Sequence, residues 1–277
     1  MTTARVLDQL LACLEADQAR GRRLVRLAPE NREFLARQAA RATRATPPAP
    51  LSRAATARLR VEASRRPAEP GLPGMGPAPI DVSGCGWDEL ERLVRDCTRC
   101  PLCRLGRTKT VFGAGNRQAE LLFIGEGPGE DEDRQGLPFV GVAGQLLDKI
   151  IDAMGFRRED VFIANIVKCR PPGNRNPEPL EAEACLPYLR RQLELVKPKI
   201  VVLLGAVPLR HLLGRSGIVK HRGQWLKYQD IDVMPTFHPS YLNRKPEAKR
   251  DVWLDMQQVM ARFGKTPPPR PAPRPSR

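Results

Sequence analysis

The sequence predicts an α/β fold of three layers, in which helices cover both faces of a central, mostly parallel, four-stranded sheet. Short runs of almost purely apolar residues recur between positions 121 and 237. The intervals between these runs carry apolar residues at helical spacing. Strands that are apolar on both faces lie in sheets covered on both sides, and strands that alternate with helices pair in parallel.

Four strands are predicted from the apolar runs, at residues 121–125, 161–167, 200–205 and 224–237, the last range holding one strand or two. Four helices are predicted between and after them, at residues 144–154, 179–196, 206–213 and 246–263. Three unusual loops follow Gly125, Val167 and Phe237. Because ligands bind beyond the carboxyl ends of parallel strands, we expect the functional site in these loops.

Positive charge and proline are concentrated at the two ends of the chain. The 277 residues carry a net charge of +15, of which +11 lies in residues 1–80 and 264–277. Half of the 28 prolines fall within residues 45–80 and 264–277, where they oppose helices and central strands. The predicted domains are a basic extension at 1–44 that is disordered or partly helical, a Pro/Arg-rich linker at 45–84, a globular domain at 85–263 and a disordered basic tail at 264–277. No run of 18 apolar residues occurs, which excludes a membrane-spanning helix.

The cysteines have the spacing of metal ligands rather than of a disulfide framework. Their number is odd, and they are Cys13, Cys85, Cys97, Cys100, Cys103, Cys169 and Cys185. The third to fifth form a C-x2-C-x2-C run on one tight loop, and the last two flank a Pro-rich stretch. Thiolates suit zinc or an iron–sulfur cluster, and the spacing alone separates neither the metals nor the ligands within the run. The first two cysteines are predicted to be buried free thiols.

Three long motifs follow the cysteine run. They occupy residues 125–144, 165–175 and 238–244, and the stretch 97–116 precedes them. Together they resemble the family 4 uracil-DNA glycosylases, the iron–sulfur branch of the uracil-DNA glycosylase superfamily, over residues 88–263. The resemblance implies a monofunctional enzyme that hydrolyses the N-glycosidic bond of deoxyuridine in single- or double-stranded DNA, releases uracil and leaves an abasic site. It also implies a monomer in the cytoplasm of a bacterium or archaeon.

The resemblance further implies a 4Fe-4S cluster. Its implied ligands are Cys97, Cys100, Cys169 and Cys185. Cys103 is then an unassigned thiol. We expect no redox step in the hydrolysis and a structural role for the cluster, which would join the N-terminal loop to the Pro-rich loop after the second strand.

Recognition of uracil requires that the base leave the stack and be read in a pocket. Phe139 is the only aromatic residue in its Gly/Pro-rich loop, and we predict that it stacks on the base. Asn165 ends the second apolar run, and its amide offers one acceptor and one donor, which match N3–H and O4 of uracil. Cytosine would leave both groups unpaired, at a cost of about 1–3 kcal/mol per buried group. The backbone at Gly127 is predicted to approach the pocket closely.

Two residues are predicted to carry the chemistry. His238 follows an apolar strand, and a donor aimed at uracil O2 would stabilise the anion that develops as the base leaves. Glu126 follows the first strand and would orient or deprotonate the attacking water and stabilise the oxocarbenium-like sugar. The acidic run at 130–133 is predicted to cap or solvate its loop rather than to join the catalysis. Lys168 is predicted to contact the backbone.

The third motif is expected to contact DNA. Tyr241 and Leu242 are predicted to lie on a loop that enters the duplex, with the leucine as an apolar wedge in the gap left by the flipped base. Arg244 is predicted to contact phosphates. The family more often has Leu-Leu-Arg where this chain has Asn243, which leaves the identity of the wedge open.

Two other functions fit parts of the sequence. A relative in the same superfamily would form a covalent adduct with uracil-DNA through a histidine, and the basic segment 219–223 contains His221. A zinc-containing DNA-binding module without activity would use the cysteines alone. For the glycosylase, the basic arms, with Phe34 as the only aromatic residue in 1–80, are expected to raise non-specific affinity for DNA through phosphate contacts.

Overall fold

The computed structural model describes residues 79–267, and the predictions for residues 1–78 and 268–277 lie outside that range. Within it the helices are α1 (Trp87–Arg95), α2 (Glu130–Gln135), α3 (Val142–Ala153), α4 (Pro179–Val196), α5 (Ala206–Leu213), α6 (Ile218–His221), α7 (Pro239–Arg244) and α8 (Lys249–Arg262). No helix among these described residues is long and apolar enough to cross a membrane.

One mixed, mostly parallel sheet runs through the described residues. Its strands are β1 (Ala114–Gly115), β2 (Leu121–Gly125), β3 (Phe162–Asn165), β4 (Ile200–Leu204), β5 (Leu226–Tyr228) and β6 (Ile231–Thr236). Their order across the sheet is β1-β3-β2-β4-β6-β5. The four central strands pair in parallel, and β1 and β5 pair antiparallel at the two edges. The predicted α/β class with a mostly parallel sheet is confirmed.

The predicted number of four strands is wrong, because the sheet has six. The two additional strands are at its edges: β1 has two residues, β5 has three, and neither is fully buried. An edge strand faces solvent on one side and is often short, so it needs no long apolar run. The four parallel strands are the ones that the apolar runs predict, and residues 224–237 hold both β5 and β6.

The parallel strands send alternate side chains into two hydrophobic cores, one on each face of the sheet. In β2, Leu122 and Ile124 belong to the core that contains buried residues of α4 and α5. Leu121 and Phe123 belong to the core that contains buried residues of α3 and α8. Helices therefore cover both faces, and the carboxyl ends of the strands are left free for a ligand.

Two segments predicted as loops are short helices. After β2, the acidic run forms α2, which begins after Gly129 and ends at Gly136, whose φ of 81° is left-handed. After β6, the third motif forms α7, which begins at Pro239. Proline starts a helix well because its missing N–H would have had no partner within the first turn. The side chain of His238 caps this helix by accepting the backbone N–H of Ser240.

Candidate active site

A cavity of about 340 Å³ opens beyond the carboxyl ends of the four parallel strands. Each of these strands contributes a lining residue: Glu126 follows β2, Asn165 ends β3, Gly205 follows β4 and His238 comes shortly after β6. Phe139, from the loop between α2 and α3, lines the same cavity. The fold thus brings together the four side chains for which the sequence predicts base recognition and chemistry.

Asn165 presents an unsatisfied acceptor at the cavity. The residue is 1% exposed, and its Oδ1 is the one buried side-chain N or O atom in residues 79–267 without a hydrogen-bond partner. Leaving such an atom unpaired costs about 1–3 kcal/mol. Buried polar groups are nearly always paired, so this atom in the cavity wall marks a position where a ligand or a water molecule can supply the donor.

Lys168 holds the end of β3 from behind. Its Nζ donates to the backbone oxygen of Asn165 at 3.0 Å and to Oε1 of Gln192 at 2.7 Å. Gln192 in turn donates to the backbone oxygen of Phe112 at 2.9 Å. The predicted backbone contact of Lys168 is confirmed, and it anchors the residue that carries the unsatisfied amide.

Phe139 is buried and has an unusual backbone conformation. Its φ is 52°, in the left-handed region that residues other than glycine rarely adopt. The ring lies beside Gly125, where an added Cβ would stand 2.5 Å from Cζ of Phe139 and would also overlap Oδ1 of Asn165. A Cβ at Gly144 would likewise overlap the backbone carbonyl of Phe139. Two glycines of the first motif therefore give the ring its place against the amide.

His238 is a neutral hydrogen-bond donor. Burial, with a smaller contribution from the nearby Arg244 guanidinium, lowers the pKa of His238 to about 4. Its Nδ1 accepts the backbone N–H of Ser240 at 3.1 Å and lies 2.8 Å from the hydroxyl of the same residue. Because a backbone N–H can only donate, Nδ1 is unprotonated, and the proton of the neutral ring is assigned to Nε2.

Gly205 allows β4 to end close to this histidine. Its φ is 99°, and an added Cβ would stand 3.1 Å from Cβ of His238. A side chain at this position would therefore be strained and would press on the imidazole.

Glu126 has a carboxyl group suited to accepting a proton near neutral pH. The residue is half-buried, and burial raises the pKa of its carboxyl group to about 7. The next residue, Gly127, also lines the cavity, and an added Cβ there would stand 2.7 Å from Cγ2 of Val167. The backbone can thus approach the cavity closely at the point where the carboxylate enters it.

Of the predicted DNA-contacting residues, Tyr241 and Arg244 line the cavity and Leu242 does not. Leu242 is 1% exposed and packs in the core that contains α3 and α8. Because the segment is a helix, the side chain of Leu242 turns inward, and it would have to leave the core to act as an apolar wedge; its contact with DNA stays a prediction. Tyr241 is half-buried, with its ring centroid 4.9 Å from that of Phe237, and Arg244 is exposed.

Five of the described cysteines lie close together; they are Cys97, Cys100, Cys103, Cys169 and Cys185. Burial raises the pKa of Cys100 to about 12, and it also raises the pKa of Cys169 and of Cys185. Two polar side chains face these sulfurs. Arg107 donates to Sγ of Cys169 at 3.0 Å, and the hydroxyl of Tyr188 donates to Sγ of Cys97 at 3.4 Å.

The chemistry of this donor set fits a metal cofactor. The five cysteines are free, as is the buried Cys85, in agreement with the prediction for that residue. Buried thiols ionise readily only beside positive charge, which a coordinated metal supplies. Among residues 79–267, no three His, Cys, Asp or Glu side chains are arranged to hold a metal ion. The fit therefore rests on the thiol donors, which are the ligands of iron–sulfur clusters.

Glu132 also belongs to the site, and the sequence does not predict its contacts there. The acidic run was predicted to cap or solvate its loop, and Glu132 does accept the backbone N–H of Gly129 at the start of α2. It also lines the cavity and bonds to the loop that carries Phe139. The available signal was a glutamate three residues after the residue that precedes the helix, which is capping-box spacing.

The histidine considered for a covalent adduct lies elsewhere. His221 ends α6 and is not among the residues that line the cavity. The next residue, Arg222, is tied to α8 by an ion pair of 2.5 Å with Asp255, which also accepts the hydroxyl of Thr236 at 2.7 Å. This basic segment thus braces β6 against α8.

Comparisons with known proteins identify the family of the chain. Residues 112–257 match the model of the uracil DNA glycosylase superfamily. The chain is 48% identical over 177 residues to a type-4 uracil-DNA glycosylase of Thermotoga maritima, an alignment that covers 61% of this chain and 91% of that relative. It is 38% identical over 194 residues to a type-4 uracil-DNA glycosylase of Archaeoglobus fulgidus, covering 65% and 96%. To a type-5 uracil-DNA glycosylase of Pyrobaculum aerophilum it is 31% identical over 193 residues, covering 57% and 84%.

Proposed function

The chain belongs to the uracil-DNA glycosylase superfamily and, within it, to the type-4 enzymes, and from this premise we propose how its cavity performs the reaction. The protein is a uracil-DNA glycosylase, a hydrolase that breaks the N-glycosidic bond between uracil and deoxyribose in DNA. Water contributes its oxygen to C1′ and a proton to the departing base. The products are free uracil and an abasic site.

The unpartnered Oδ1 of Asn165 is the observation that carries the proposal. Uracil N3–H is the donor that this acceptor lacks, and the amide nitrogen of Asn165 faces O4 in the same pose. Cytosine has an unprotonated N3 and an amino group at C4, so it would leave both groups of the amide unpaired. Asn165 therefore selects uracil over cytosine.

His238 stabilises the leaving base. As the glycosidic bond breaks, negative charge develops on N1 and O2 of uracil. The Nε2–H of the neutral ring donates to O2, and the contact with Ser240 holds the ring in the tautomer that can do so. Because the ring is already neutral and already oriented, this donor needs no reorganisation during the reaction.

Glu126 acts on the water. In its ionised form the carboxylate accepts a proton from the attacking water and faces the positive charge that develops at C1′. The raised pKa of Glu126, which results from burial, makes it a stronger base than an exposed glutamate. The same burial keeps part of the population protonated at neutral pH.

Phe139 and the backbone at Gly127 hold the flipped base. The aromatic ring stacks on one face of uracil, and the absence of a side chain at residue 127 lets the chain approach the base. At the mouth of the cavity, Tyr241 and the exposed Arg244 contact the DNA, the latter through phosphate.

A 4Fe-4S cluster is the proposed cofactor. Cys97, Cys100, Cys169 and Cys185 would hold it, and it would supply positive charge that keeps these buried thiols ionised. Through its ligands it would fasten the loop before β1 to the loop that follows Asn165. Cys103 stays unassigned, and the hydrolysis needs no electron transfer.

Excision of uracil from oligonucleotides tests the proposal. Single- and double-stranded DNA with one uracil is incubated with the protein and treated with alkali, which breaks the strand at abasic sites. We expect strand breaks only after alkali, together with free uracil, and a large loss in each of Glu126→Ala, Asn165→Ala and His238→Ala. Wild-type rates in all three variants would overturn the assigned roles, and a heat-stable protein–DNA band would favour the covalent adduct.

The monomeric state, the cytoplasmic location and the DNA-binding role of the basic arms stay predictions. The arms hold most of the net charge, so removing them should make DNA binding less sensitive to salt. Residues 84–263 alone are expected to retain uracil excision.

A further inference from the structure

Glu132 is a buried carboxylate in the wall of the cavity, and its side chain accepts hydrogen bonds from three backbone N–H groups. Its Oε1 accepts from Val140 at 2.9 Å and from Gly141 at 2.9 Å. Its Oε2 accepts from Gly129 at 3.1 Å. The residue is 9% exposed and lines the cavity. The two oxygens thus face different segments of the cavity wall.

The first of these segments carries Phe139. Val140 and Gly141 follow it directly, so Oε1 of Glu132 accepts hydrogen bonds from the two residues that come after Phe139. Phe139 itself has a φ of 52°, a conformation that costs free energy and persists only where the surroundings impose it. The bonds from Val140 and Gly141 to Oε1, the close approach of Gly144 and a bond from Arg158 to the backbone oxygen of Pro138 all constrain the loop around this residue.

The second segment carries Glu126. Gly129 lies three residues after Glu126 in the same loop, and its N–H donates to Oε2 of Glu132. One carboxylate therefore joins the loop of the proposed stacking ring to the loop of the proposed base. Hydrogen bonds to a charged carboxylate are stronger than those between neutral groups.

We propose that Glu132 is a positioning residue for uracil recognition, which sets the ring of Phe139 through Oε1 and does not itself contact the reacting atoms. The inference rests on the stacking role of Phe139 in the proposed function. A misplacement of about 1 Å in a binding group can lower the rate a hundredfold. Loss of the hydrogen bonds from Val140 and Gly141 to Glu132 is therefore expected to weaken uracil binding, although no group that touches the base is removed.

Inhibition by free uracil measures this binding separately from DNA binding. In Glu132→Ala we expect the inhibition constant of uracil to rise roughly tenfold or more, while the affinity for DNA with an abasic site stays within about twofold of wild type. Glu132→Gln keeps an oxygen for Val140 and Gly141 and loses only the acceptor for Gly129, so its uracil affinity should stay close to wild type. Glu132→Asp keeps the charge but is one methylene shorter, and it should behave like the alanine variant.

Asp133→Ala is the matched control. Asp133 is also a buried carboxylate of α2 that accepts backbone N–H groups, but its donors are Thr108 and Lys109, which do not line the cavity. We expect lower thermal stability in this variant and an unchanged inhibition constant. If Glu132→Ala does not fold, Glu132→Asp provides the same comparison.

A double variant that includes Phe139→Ala distinguishes the positioning role of Glu132 from the stacking role of Phe139, on which it rests. If Glu132 acts through the ring, the double variant Phe139→Ala, Glu132→Ala binds uracil no more weakly than Phe139→Ala alone. Additive losses, or wild-type uracil inhibition in both Glu132→Ala and Glu132→Asp while Phe139→Ala is impaired, would overturn the positioning role. Wild-type inhibition in Phe139→Ala would overturn the stacking role itself.

Discussion

The backbone N–H of Ser240 donates to Nδ1 of His238, with 3.1 Å between the two nitrogens. The contact lies at the first turn of α7, so the helix cap and the site share one imidazole. It leaves the ring with one N–H, at Nε2, available to the substrate. The chemistry of the leaving base thus depends on a bond that belongs to the local helix.

The protonation state of His238 is the first prediction. Because burial holds its pKa at about 4, the ring should be neutral with its proton on Nε2 throughout the pH range of activity. Nitrogen-15 NMR of the histidines should show one ring with this tautomer between pH 6 and 8, absent in His238→Ala. That variant should lose about 10²–10³ in kcat. A charged ring at pH 7 would contradict the assignment.

The pH profile of excision is the second prediction. Burial raises the pKa of Glu126 to about 7, and only the ionised carboxylate accepts a proton from water, so kcat/KM should rise with pH through a midpoint near 7. Because the pKa of His238 is about 4, its titration does not contribute to the rise of kcat/KM near pH 7.

Glu126→Gln is the control for this rise of kcat/KM with pH. It should be slow and nearly independent of pH between 6 and 8, because the amide has no proton to lose. If kcat/KM of this variant still rises with pH through the same midpoint, a group other than Glu126 is titrating.

Selection against cytosine is the third prediction. Asn165→Ala removes both hydrogen-bonding groups and should slow uracil excision by about 10–100-fold, which corresponds to the roughly 1–3 kcal/mol of an unpaired buried group. Asn165→Asp presents only acceptors when ionised, which suit the amino group of cytosine and repel O4 of uracil. The ratio of uracil to cytosine excision should therefore fall in the aspartate variant, measured on oligonucleotides that differ in that base. An unchanged ratio would show that another residue reads this edge.

Cofactor retention is the fourth prediction. Cys169→Ser removes a proposed ligand and should lose bound iron, visible absorbance and much of the thermal stability, since metal binding is coupled to folding. Cys103→Ser should retain its iron, because this thiol is unassigned. Iron loss in Cys103→Ser would show that the ligand set is wrong, and a colourless protein loaded with zinc would overturn the cofactor.

The buried elements of the fold are the ones that the sequence predicts best. Strands that are apolar on both faces leave continuous runs such as residues 200–204, and the helix predicted at 179–196 coincides with α4. The edge strands and α2 leave no such run. A six-residue helix is not stable by itself, and α2 depends on capping contacts such as that of Glu132 with Gly129, which composition does not show.

The candidate site was predictable where position alone decides. Residues that follow parallel strands meet at one edge of the sheet, which is why Glu126, Asn165 and His238 share the cavity. The direction of Leu242 was not predictable, because it depends on the third motif being a helix rather than a loop. The bonds of Glu132 to Val140 and Gly141 depend on which of four successive acids turns toward the cavity.

A crystal structure with free uracil tests most directly whether this cavity reads the base, and it is the fifth prediction. We expect the ring against Phe139, with N3 about 2.7–3.2 Å from Oδ1 of Asn165 and O2 facing Nε2 of His238. Asn165→Ala crystals treated in the same way should show weak or no binding. Uracil bound outside the cavity, or inside it with Oδ1 of Asn165 still unpaired, would contradict the proposed recognition.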